Sequence, residues 1–136
     1  MLRYVVISLA SGLLFGVLDG LLNANPLARS LLDVYRPIAR PSINVVAGVA
    51  IDLVYGFVLA GMFTLLYRSL PGSTGLLKGL SFAAGLWFLR VVMSAASNWV
   101  MFKVPAATLA YTLGAGLVEM VALGALYGLT LLPHGR

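Results

Sequence analysis

Four stretches of this chain, residues 4–22, 43–67, 79–102 and 106–131, are apolar over lengths near or above the ~20 residues that an α-helix needs to cross a bilayer. Segments of this kind leave few folds open, because in lipid every backbone N–H and C=O must be satisfied within the structure, and a helix does so within itself. The expected fold is all-α: an antiparallel bundle of four transmembrane helices forming one membrane domain over residues 1–136. Composition agrees, since 61% of residues are hydrophobic and 10% charged, against about 25% charged in a soluble domain. The first stretch follows Arg3 and ends at Asn23-Ala24-Asn25, a faint likeness to a signal peptide; it is read as a retained span.

The connections set the topology. NPLARSLLDVYRPIARP, residues 25–41, opens like a helix, with Asn25 as N-cap and Pro26 at the first position. Leu27, Leu31, Leu32 and Tyr35 fall on one side, and Arg29, Ser30, Asp33 and Arg36 on the other. That pattern predicts an amphipathic helix over 26–36, lying in the headgroup plane. Pro71-Gly72 marks a turn and Lys103-Val104-Pro105 a tight one, so neighbouring helices should run antiparallel. One side then carries Arg3, Arg68, Lys78 and Arg136, the other Arg29, Arg36, Arg40 and Lys103. The two sides balance, so the positive-inside rule does not orient the chain, and cytoplasmic termini are the default.

The net charge of +5 is scattered over loops and ends, which argues against nucleic acid and for contact with lipid headgroups. With no cysteine and a single histidine, His134, in the tail, no metal site, cofactor or histidine catalysis is expected. No phosphate-binding glycine loop or serine elbow appears, so the chain reads as a non-enzyme. Trp87 and Trp99, with Tyr4, Tyr35, Tyr67 and Tyr127, read as interfacial anchors.

Two sets of residues stand out within the spans. Gly12, Gly16 and Gly20 recur every fourth residue on the first; Gly48 and Gly56 on the second and Gly116, Gly124 and Gly128 on the fourth continue the theme. Such small residues let helix backbones approach closely, within the bundle or against a partner. The second set is polar. Arg90 and Glu119 lie ~17 to 20 Å from their entry surfaces, both near the midplane, where a bidentate pair would relieve an unpaired charge costing at least ~2.5 kcal/mol. Ser94 and Asn98 extend Arg90 into a stripe, with Asp52 about 13 Å deep and Asp19 nearer the interface on the same side. Three acids against one arginine leave a surplus carboxylate, the requirement for a proton- or cation-coupled site. The alternative is a lock that holds two helices in register.

GFVLAGMFTLLYRSLPGSTGLLKGLSFAAGLW, residues 56–87, resembles the second-to-third helix region of small, uncharacterised bacterial four-helix integral membrane proteins. The resemblance lies in the rhythm of glycines, the LPG turn and the KGL helix start, and it implies the fold without an activity. Two functions follow as expectations for a multi-pass protein of the inner (plasma) membrane. One is an accessory or assembly subunit without catalysis, packing on itself or on other membrane subunits through its small-residue faces. The other is a small transporter or channel subunit working through Arg90, Glu119 and Asp52.

Overall fold

The structure, a computed structural model, describes residues 1–132; His134 and Arg136 lie outside the described residues. It contains α1 (Leu2–Ala24), α2 (Pro26–Leu31), α3 (Val45–Leu66), α4 (Gly75–Leu86), α5 (Met93–Met101) and α6 (Ala106–Thr130), with no strand among the described residues. Helices α4 and α5 are joined by a helical segment, Trp87–Val92, into one rod. Four helical rods of 23, 25, 27 and 25 residues are therefore long and apolar enough to cross a membrane.

Local chemistry sets their starts. Asn25, Asn44 and Thr74 each accept a hydrogen bond from the backbone N–H three residues on, at 2.8, 3.0 and 3.2 Å, satisfying donors that a helix start leaves unpaired. Lys78 Nζ donates to the carbonyls of Tyr67 and Leu70, closing the end of the second rod. Gly72 takes the turn between them with φ +130°, a conformation that favours glycine.

The segment predicted as one helix over 26–36 is broken: α2 ends at Leu31, and Asp33–Ile38 forms a 3-10 turn containing Pro37. Proline has no N–H for an α-type bond and disfavours α geometry at Arg36, so the chain tightens there. Ala28 is fully buried, and Thr108 Oγ1 donates to the Leu31 carbonyl, which ties α2 to α6.

The rods form two tight pairs, α1 with α3 and α4 with α6, and backbone approach explains both. A Cβ on Gly56 would collide with the Ser8 carbonyl and lie 2.8 Å from Gly12 N; one on Gly12 would lie 2.9 Å from Asp52 O. Gly79 and Gly124 face each other so closely that a Cβ on either meets the other's carbonyl, and Gly75 and Gly128 repeat the contact one turn away. Gly116 is packed by Val91, while nothing lies within 4 Å of a Cβ at Gly20 or Gly48. The predicted stripes are thus divided between packed and open positions. Gly75 and Gly79, which complete the second pair, were legible as another four-residue spacing but were not among the predicted packing residues.

The two pairs meet mainly along α1 and α6 and through an aromatic cluster. Phe63 lies 5.5 Å from Phe82 and 5.8 Å from Tyr127, ring centre to ring centre, with Met120 and Leu123 buried beside them. Two predicted anchors prove internal instead. Tyr127 is fully buried, and Trp87 Nε1 donates to the Leu113 carbonyl at 2.9 Å. Both rings lie on helix faces that the neighbouring rod covers, which position along the chain does not reveal.

Gly79→Leu or Gly124→Leu should destabilise the α4/α6 pair by about 1–3 kcal/mol or more, since the obstructing atoms are backbone. Gly48→Leu, into open space, should stay within about 0.5 kcal/mol. Thermal unfolding of the three variants in one detergent checks the contrast.

Candidate functional site

Arg90 sits in Trp87–Val92, which is wound as a π-helix. A π turn spaces its bonds i to i+5 and widens the helix locally, a feature often found at functional sites. No proline or glycine within Trp-Phe-Leu-Arg-Val-Val marks it in the sequence. The guanidinium carbon lies 4.9 Å from the ring centre of Phe15 and 5.1 Å from that of Tyr55. Those two rings stack on each other at 5.2 Å and 9°. Aromatic faces are attractive seats for a cation, worth ~2 kcal/mol or more when water is excluded.

Across from Arg90 stand two carboxylates. Glu119, on α6, is 4% exposed and lines the same cavity as Asp19 of α1. Asn23, one turn beyond Asp19, donates to Asp19 Oδ1 at 2.9 Å and also to the Asp19 carbonyl. Arg90, Glu119, Asp19 and Tyr55 line one cavity of about 340 Å³ between the two helix pairs. Ser94 and Thr112 add hydroxyls to its wall, while Val91, Ala115 and Gly116 give it a small apolar face. At the far side of Phe15 the interior is closed by the buried aromatic and aliphatic cluster around Phe63 and Met120.

The expected Arg90–Glu119 ion pair is not formed. Among the described residues the ion pair within 4.0 Å is Arg36 with Asp33, at 3.2 Å on the exposed 3-10 turn. Arg90 Nε is buried with no hydrogen-bond partner among the described residues, although buried N–H groups are nearly always paired. The arginine is thus held by rings rather than by an acid.

The other predicted site residues separate. Asp19, expected in the interface, lines the cavity beside Glu119, and Ser94 lines it as the stripe requires. Asn98 is half-buried and lies outside that lining, one turn beyond Ser94 toward the end of α5. Asp52 lines a separate groove of about 420 Å³ along α1 and α3, where a Cβ on Gly16 would lie 2.8 Å from its Oδ2; Asp19 borders both spaces. Phe15, Asn23, Tyr55 and Thr112 were missed. Phe15, Asp19 and Asn23 recur at i, i+4 and i+8, as do Thr112, Gly116 and Glu119 at i, i+4 and i+7, so helical spacing could have grouped them.

No known protein family, characterised protein or solved structure gives a significant match to this chain.

The chain has no cysteine, so single-cysteine variants report cleanly. Ser94→Cys and Ala115→Cys, on the cavity wall, should react with a membrane-impermeant thiol reagent at least about tenfold faster than Leu123→Cys, in the closed cluster. Mass spectrometry of protein reconstituted in vesicles measures the ratio.

Proposed function

We propose that the chain is a multi-pass protein of a lipid bilayer, with four antiparallel membrane-crossing rods, that moves a small polar solute or ion through the cavity between its helix pairs. Glu119 and Asp19 are the groups that exchange a proton or cation, and Arg90 sets the charge they work against. The observation that carries this reading is the polar cavity itself. An arginine and two acids share about 340 Å³ while, among the described residues, no carboxylate oxygen lies within 4.0 Å of the guanidinium. A structural lock needs the opposite arrangement, a dry and direct pair. The antiparallel arrangement is supported by the contacts of Gly56 with Ser8 and of Gly12 with Asp52, which run in opposite directions along the two helices.

Ionisable groups within a membrane rod are expensive, and where they persist they commonly mark a pathway for ions or substrate. A cavity at the seam of two internally rigid pairs can also change shape by rocking one pair against the other without breaking the glycine contacts inside either. A second reading, an accessory or assembly subunit, is favoured by the groove beside Asp52. Gly20 and Gly48 border it with open space, as the face for another helix would require.

Proteoliposomes loaded with a pH-sensitive dye and given a pH step with a mixture of small polar solutes outside should respond faster than protein-free vesicles. Glu119→Gln and Arg90→Gln should bring the response down to the protein-free level while keeping the wild-type elution profile. A wild-type response no larger than that of empty vesicles would sink the transport reading. Stoichiometric co-purification of another membrane protein would then favour the second.

A further inference from the structure

The chemistry of the cavity walls narrows what could occupy it, on the premise that the cavity is the transport site. We propose that it binds a small zwitterion, an amino-acid-like solute whose anionic group is taken by Arg90 and whose ammonium group is taken by Glu119 and Asp19.

Each half of that solute answers an unmet requirement. Among the described residues, buried Arg90 Nε has no acceptor and no carboxylate lies within 4.0 Å of the guanidinium, so one cation lacks an anionic oxygen. A guanidinium seated on aromatic rings keeps its fork of N–H donors for a carboxylate, the ligand it matches best. Glu119 and Asp19 line the same cavity and bring two acidic groups to it. Asn23 donates to Asp19, and among the described residues no lysine or arginine nitrogen lies within 4.0 Å of either. An ammonium group, with three N–H donors and no acceptor, fits between two carboxylates.

Simpler ligands meet only half of this demand. An inorganic or carboxylic anion at Arg90 would add negative charge beside Glu119 and Asp19. A simple cation at the acids would leave Arg90 Nε unpaired. A zwitterion satisfies both walls and brings no net charge into the interior of a membrane protein, where charge is costly. Size agrees as well. At roughly 30 Å³ per water of liquid volume, 340 Å³ is room for about eleven waters, enough for a small amino-acid-like solute with water beside it. Val91, Ala115 and Gly116 leave a small apolar face for a short side chain.

The test uses the full-length protein in mild detergent, with glycine, alanine, β-alanine and γ-aminobutyrate as probes spanning a range of charge separations. Acetate and methylammonium serve as the two half-ligands. At least one zwitterion should raise the melting temperature saturably and should slow thiol labelling of Ala115→Cys, and neither half-ligand should do so at equal concentration. Arg90→Gln and Glu119→Gln should each weaken the effect by about tenfold or more, the loss of a charge-assisted hydrogen bond. Labelling protection in the otherwise unaltered Ala115→Cys protein keeps the test valid if either charge variant fails to fold. The inference is overturned if no zwitterion stabilises or protects, or if acetate or methylammonium alone does so equally well. A pH-driven vesicle response that no zwitterion alters would overturn this ligand assignment and leave the transport reading standing. Saturable zwitterion binding without any flux would do the reverse.

Discussion

Backbone approach at glycine organises this molecule. Lipid gives helices no hydrophobic reason to associate, so contact must come from close van der Waals packing, and that requires positions without a side chain. Gly56 set against Ser8 and Gly12 zips α1 to α3, and the facing pairs Gly79/Gly124 and Gly75/Gly128 zip α4 to α6. Once each pair is closed this tightly, its members have little freedom to adjust to the other pair. The pairs meet where Phe63, Phe82 and Tyr127 fill the space between them, and they stand apart where Asp19, Arg90 and Glu119 line it. The cavity lies between two rigid units that meet on either side of it, at the aromatic cluster and where Thr108 of α6 bonds the Leu31 carbonyl.

That geometry also explains how an arginine is tolerated inside the rod. A direct pair with Glu119 would have neutralised it, but among the described residues no carboxylate oxygen lies within 4.0 Å of the guanidinium. Phe15 and Tyr55, one from each helix of the first pair, hold the guanidinium instead, and the π turn at Trp87–Val92 gives Arg90 its local setting. Ring faces attract a cation without consuming its hydrogen-bond donors. The result is a charge fixed in position yet chemically available, in a cavity it shares with the acids and Asn23.

Much of the site was visible as helical spacing. Glu119 with Gly116 and Thr112, and Asp19 with Phe15 and Asn23, are faces that a period of 3.6 residues assembles. The Arg90 stripe reaches the cavity only as far as Ser94; Asn98 keeps the four-residue spacing within α5 but lies a turn beyond the lining, and where a cavity ends along a helix is not written in spacing. By depth alone Asp52 reads as the acid nearer Arg90 and Glu119 and Asp19 as an interfacial one, the reverse of where the cavity places them. They differ because Asp52 lies against Gly16 in the groove of its own helix pair, a matter of rotation about the helix axis that depth alone does not contain.

The sequence by itself determined that four long apolar helices form, where they start and turn, and that charges are placed within them. These are properties of consecutive residues: run length, capping side chains, a proline or a glycine at a turn. Tertiary structure decided which glycines are contacts and which are open, that Arg90 rests on rings and not on Glu119, and that Asp19 joins the cavity while Asp52 leaves it. The physical reason is that an apolar helix has little hydrophobic asymmetry to declare its inward face. Its rotation is set by how closely another backbone can approach, and that belongs to the pair and not to either sequence segment.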